Sequence, residues 1–89
     1  MTLLQLITIS PNPIHSVPCW VTVCYDFEST GATSPAVLEI SFGGTDDSYK
    51  TEVTKDDPCV PVYVPADASS VDVVDASGQS QDKSAQVYP

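Results

Sequence analysis

The sequence predicts an all-β protein: one domain over residues 1–89, built as a seven-stranded antiparallel β-sandwich. Three observations lead there. Apolar residues recur at every second position over short windows, and no stretch repeats them at helical spacing. The 8 prolines and 4 glycines, together with Ser, Asn and Asp clusters, interrupt those windows about every eight to twelve residues. A chain of 89 residues, 42% of them hydrophobic, can fill one modest core and leaves no room for a second domain or a deep enclosed cleft.

The first strand is expected from Leu3 to Ile9, stopping at Ser10-Pro11-Asn12-Pro13, where two prolines force an extended, kinked turn. The second, Val17 to Phe27, alternates Val21, Val23 and Tyr25 against Trp20, Thr22 and Cys24, and a polar loop from Glu28 to Pro35 follows. In the third, Ala36 to Phe42, Leu38, Ile40 and Phe42 share one face with Glu39 and Ser41 opposite. The turn Gly43-Gly44-Thr45-Asp46-Asp47 reverses the chain, and Tyr49, Thr51 and Val53 then alternate with Lys50 and Glu52 to complete a hairpin. Lys55-Asp56-Asp57-Pro58 breaks the pattern before Val60, Val62 and Val64 alternate with Cys59, Pro61, Tyr63 and Pro65. Proline cannot donate to a ladder, so this fifth strand belongs at a sheet edge. Val71–Asp75 and Lys83–Tyr88 form a last hairpin across Ala76–Gln81.

Charge narrows the function classes. Twelve Asp and Glu against three Lys and no Arg give a net charge of −9. Phosphate neutralisation needs bases that this chain lacks, so nucleic acid is excluded as a partner and anionic membrane surfaces are disfavoured. The opening Met1–Ile9 has no basic region, and its apolar stretch is interrupted by Gln5 and Thr8; it does not read as a signal peptide. No apolar run is long enough to insert in a bilayer as a helix, so a soluble protein is expected, with its compartment open.

Chemistry finds little purchase. His15 is the single histidine, set between proline-rich corners, and no Gly-x-Ser-x-Gly, phosphate loop or His-Glu helix accompanies it, so no catalytic residue and no enzyme activity are expected. The acid pairs Asp46-Asp47 and Asp56-Asp57 read as solvated turn formers. A calcium loop is a weaker alternative, with Asp75, Ser77 and Asp82 as candidate oxygen ligands, although EF-hand spacing is not met. Otherwise no cofactor is implied, and three cysteines with one histidine lack zinc-site spacings. Cys19 and Cys24 point to opposite faces of one strand and cannot bond well. Cys24 and Cys59 share outward parity and, where the second and fifth strands are neighbours, are the candidate disulfide, closing a loop of about 35 residues; three reduced thiols are the alternative.

Outward parity also puts Trp20, Thr22 and Cys24 on one face of the second strand and Cys59, Pro61 and Tyr63 on one face of the fifth, an aromatic outer face where the two strands share a sheet. A solvent face is ordinarily polar, and an aromatic one serves interfaces and sugar-stacking platforms. Tyr49 is a further candidate binding aromatic. A one-residue slip would exchange the faces and make Trp20 the core tryptophan, and parity alone leaves that register open.

Seven short strands resemble the inventory of fibronectin type III-like and other small immunoglobulin-like domains, and that resemblance implies that the first, second and fifth strands share a sheet, which would bring the Trp20, Tyr63 and Cys24, Cys59 faces together. The stretch Ile7-Thr-Ile-Ser-Pro-Asn-Pro13, followed by Val21-Thr-Val-Cys-Tyr25, a Gly31-containing loop and Ala36-Val-Leu-Glu-Ile40, is similar to the start of CARDB-type adhesion modules. The resemblance covers about the first 40 residues and the strand count. It implies a non-catalytic interaction module of an extracellular type. The aromatic residues then lead to the expectation that it binds another protein or a second copy of itself through the Trp20/Tyr63 face or the edge of the fifth strand. The alternative reading is a small carbohydrate-binding, lectin-like or calcium-dependent sandwich using Trp20 with Tyr63 or Tyr49.

Overall fold

A computed structural model of the chain describes residues 3–29 and 31–88. Its strands are β1 (Ile7–Ser10), β2 (Cys19–Tyr25), β3 (Ala36–Gly43), β4 (Ser48–Val53), β5 (Cys59–Val64), β6 (Ser70–Asp75) and β7 (Lys83–Gln86). They form two antiparallel sheets, three-stranded in the order β1-β2-β5 and four-stranded in the order β4-β3-β6-β7. Among the described residues no helix is long and apolar enough to cross a membrane.

One core cluster joins the inward residues of both sheets. Ile7, Ile9, Val21, Val23, Val62 and Val64 come from the three-stranded sheet; Leu38, Ile40, Val53, Val71, Val73 and Ala85 come from the other. Each large aliphatic side chain removed from water here contributes about 1.5–3 kcal/mol relative to leaving it exposed. The period of two then dictates the outer faces. Val21 and Val23 are 2% and 0% exposed while Trp20, between Cys19 and Val21 in the chain, is 63% exposed. Trp20 is therefore a surface residue, and the alternative register that buries it does not occur.

β5 is an edge strand, as its prolines require. The ladder explains how Pro61 fits. Tyr25 N–H donates to the Pro58 carbonyl at 2.9 Å, which makes Tyr25–Pro58 a hydrogen-bonded pair. Antiparallel pairs alternate, so Cys24–Cys59, Thr22–Pro61 and Trp20–Tyr63 occupy the non-hydrogen-bonded positions. Pro61 faces β2 where no N–H is needed.

The amino-terminal segment departs from expectation. β1 begins at Ile7 rather than Leu3: the Leu6 carbonyl still accepts from Asp26 N–H at 2.9 Å, but the Leu3 and Leu4 carbonyls and the Leu6 N–H turn to the opposite end of the chain. Gln81 N–H and Gln81 Nε2 donate to the carbonyls of Leu4 (3.1 Å) and Leu3 (2.6 Å), and Leu6 N–H donates to Ser80 Oγ at 2.9 Å. After the Pro11–Pro13 corner the chain crosses to the four-stranded sheet. There Ile14 N–H donates to the Gln86 carbonyl (2.9 Å), and Tyr88 N–H donates to the Ile14 carbonyl (2.8 Å). Ile14 and Val87 thus make an isolated parallel bridge, with Ile14 buried. β2 starts at Cys19, after Pro18, and β7 ends at Gln86.

Candidate functional site

The outer face of the three-stranded sheet is a continuous strip without charge. Register aligns Thr8 with Cys24 and Ser10 with Thr22 across β1 and β2, and Trp20 with Tyr63, Thr22 with Pro61 and Cys24 with Cys59 across β2 and β5. Non-hydrogen-bonded pairs bring side chains closest, so Trp20 and Tyr63 meet directly. Their ring centroids lie 5.3 Å apart with planes at 63°, an edge-to-face contact between rings that remain 63% and 48% exposed. At the far end of the strip Cys24 and Cys59 are bonded, with Cα atoms 4.0 Å apart. The bond ties β5 to β2 two pairs beyond Thr22–Pro61 and holds the platform under the aromatic pair. Cys19, the free cysteine, has inward parity and packs partly buried against the core.

The other sequence candidates lie elsewhere. Tyr49 sits on β4, in the other sheet, opposite Ile40 and 6.5 Å from the Phe42 ring. It does not join Trp20 and Tyr63, and the pairing of Trp20 with Tyr49 expected for a sugar platform is not formed. Partial burial pushes its hydroxyl pKa above the ordinary tyrosine value. His15 is exposed beside Tyr88, 6.5 Å between ring centroids, in a shallow surface depression shared with Ser16, Ser69 and Val87. Asp46, Asp47, Asp56 and Asp57 are exposed in turns.

The loop considered for calcium is organised around hydrogen bonds. Asp75 is 6% exposed at the end of β6. Its Oδ1 accepts from Ser77 N–H at 2.8 Å, while Oδ2 accepts from Gln79 N–H at 2.9 Å and from the Tyr25 hydroxyl at 2.6 Å. Gly78, at φ +77°, returns its N–H to the Asp75 carbonyl at 3.0 Å, closing a turn that needs a residue free to adopt the left-handed region. Ser77 Oγ accepts from Val37 N–H at 2.8 Å, and the Gln79 side chain bonds both backbone groups of Thr33. Asp82 is exposed, and its carbonyl accepts from Gln5 Nε2 at 2.8 Å. The three candidate ligands thus serve three different contacts, and among the described residues no three His, Cys, Asp or Glu side chains converge as a metal site.

Asp75 and Tyr25 form the buried polar contact that sequence reasoning did not single out. The signal was present: Tyr25 shares parity with Val21 and Val23, and Asp75 with Val71 and Val73, so both point inward from opposite sheets. A carboxylate aimed at a core needs a donor, and the one tyrosine on the inward face of β2 supplies it. Burial, followed by the hydrogen bond to Asp75 and its charge, raises the Tyr25 pKa well above its ordinary value.

No protein-family model, curated protein or solved structure matches this chain.

Proposed function

We propose that this protein is a non-catalytic, immunoglobulin-like interaction module that binds another protein through the Trp20/Tyr63 face of its three-stranded sheet. The finer fold reading rests on the strand order β1-β2-β5 and β4-β3-β6-β7, the arrangement of fibronectin type III-like sandwiches, and on the resemblance of the first 40 residues to CARDB-type adhesion modules. One observation carries the functional reading: a tryptophan and a tyrosine oppose each other in the open, edge to face, on a strip of Thr8, Ser10, Thr22, Pro61 and a disulfide. Aromatic side chains offer a large contact area at a low cost in conformational entropy, and a charge-free centre is inexpensive to desolvate. Around that centre the chain carries −9, which favours a partner whose rim is basic and suppresses association with other acidic surfaces.

Trp20 is the single tryptophan, so its emission reports the face directly. Proteins retained by the wild type and lost with Trp20→Ala/Tyr63→Ala are the specific partners; each, once purified, is expected to blue-shift Trp20 emission on titration. An identical set retained by both forms would overturn the reading. The exposed Trp20 ring also favours a second reading, sugar stacking. Its outcome is quenching of Trp20 by a glycan that the Trp20→Ala form does not bind.

A further inference from the structure

We infer that β4 is the contact surface of a homodimer, in which two copies pair antiparallel about a two-fold axis through Thr51 and join their four-stranded sheets into one. The inference concerns a different sheet from the Trp20/Tyr63 face and stands independently of its role.

An edge strand left unguarded invites pairing, and three of the four edges here are guarded. β5 carries Pro61 within it. β1 has only the residues Ile7–Ser10 and runs into Pro11 and Pro13. β7 is short, and its end is bridged by Ile14. β4, Ser48–Val53, has no proline and no glycine, and among the described residues only β3 pairs with it.

Its outward backbone groups follow from the ladders. Ala76 N–H donates to the Val37 carbonyl and Ser69 N–H to the Gly43 carbonyl, both at 2.8 Å, so the odd-numbered residues of β3 turn their backbone groups to β6. Ala36, Leu38 and Ile40 therefore face β4, where register pairs them with Val53, Thr51 and Tyr49. Ser48, Lys50 and Glu52 are left with N–H and carbonyl groups pointing away from the sheet.

The side chains then select the partner. With the two-fold axis on Thr51, Lys50 of each copy opposes Glu52 of the other at a hydrogen-bonded position, where their backbones exchange N–H···O=C bonds. Tyr49 opposes Val53, and Thr51 opposes Thr51. Moving the axis by one residue would set Lys50 on Lys50 or Glu52 on Glu52, which like-charge repulsion disfavours. Lys50, the kind of charge that blunts an edge against other strands, also lies opposite Glu39 of its own β3, so in the dimer it would sit between two carboxylates. Tyr49, 43% exposed at this edge, would lie beside Val53 of the other copy in addition to its own Ile40. The Trp20/Tyr63 faces lie on the other sheet of each copy and stay free, giving a bivalent particle.

Sedimentation equilibrium from micromolar to millimolar protein tests this. The wild type is expected to dimerise with concentration. Lys50→Glu and Glu52→Lys are each expected to raise the dimer dissociation constant about tenfold or more, since both cross-strand pairs become repulsive. An equimolar mixture of the two variants is expected to recover association, because each then meets the opposite sign on the other. Circular dichroism of each variant, both altered only at exposed side chains, checks that the fold is retained. A wild type that stays monomeric, a dimer indifferent to both reversals, or a mixture that does not recover would each overturn the inference. A dimer dissolved by Trp20→Ala instead would assign self-association to the aromatic face.

Discussion

The Tyr25 hydroxyl donates to Asp75 Oδ2 at 2.6 Å, a buried bond that joins β2 of the three-stranded sheet to the end of β6 in the four-stranded one. Tyr25→Phe leaves the carboxylate one donor short in a buried site and is expected to cost about 1–3 kcal/mol in urea denaturation. The same bond sets an alkaline limit. The folded pKa of Tyr25 lies above the value of about 10 for an unfolded tyrosine, so the stabilisation is fully present below about pH 10 and is lost as pH rises through the folded pKa. Tyr25→Phe is expected to flatten the fall in stability above pH 10, the remaining slope including Tyr49, whose pKa is raised in the same direction. An unchanged alkaline slope in the variant would contradict this.

Asp75 holds two backbone donors besides Tyr25, so Asp75→Ala is expected to destabilise more than Tyr25→Phe. Because those bonds occupy both carboxylate oxygens, the melting temperature of the wild type is expected to be the same in calcium and in EDTA. A calcium-dependent rise that Asp75→Ala removes would restore the loop as a cation site.

The Cys24–Cys59 bond spans a sequence separation of 35 residues. In the chain-entropy account such a loop contributes about 3–4 kcal/mol, so a reducing agent or the double substitution Cys24→Ser/Cys59→Ser is expected to lower stability by about that amount. Thiol titration in denaturant is expected to find one free thiol before reduction, that of Cys19, and three after it. Three thiols without reductant would refute the bond.

Trp20 and Leu38 differ in burial, and their truncations should separate accordingly. Trp20→Ala is expected to change stability by no more than about 1 kcal/mol, chiefly the lost contact with Tyr63. Leu38→Ala, at 0% exposure, is expected to cost about 2–5 kcal/mol. Wild-type Trp20 emission should lie at the long wavelength of a hydrated indole and be quenched by acrylamide. A blue, shielded emission from a monomer would mean the other register of β2.

Much of the candidate face could be read before the structure, because side-chain direction in a strand is local. Trp20, Thr22 and Cys24 share a face through backbone pleating alone, and Pro61 sent β5 to an edge through its missing N–H. One expectation failed for the opposite reason. Residues 3–6 have the alternation of a strand, yet Ser80, Gln81 and Asp82, more than 70 positions away in the chain, are nearer partners than β2. Tyr49, a further candidate binding aromatic, lies on β4 of the β3–β4 hairpin, in the other sheet from Trp20.

By itself, then, the sequence determined how many strands form, roughly where they lie and which residues of each share a face, since these depend on a two-residue period and on the covalent limits of proline and glycine. Only the tertiary structure decided that Trp20 meets Tyr63 in solvent, that Cys24 bonds Cys59, and that Asp75 is a buried acceptor for Tyr25 instead of a solvated turn acid. Those outcomes depend on pairing strands far apart in the chain, where the register of the ladder and the packing of two sheets, which no local pattern encodes, choose each side chain's neighbour.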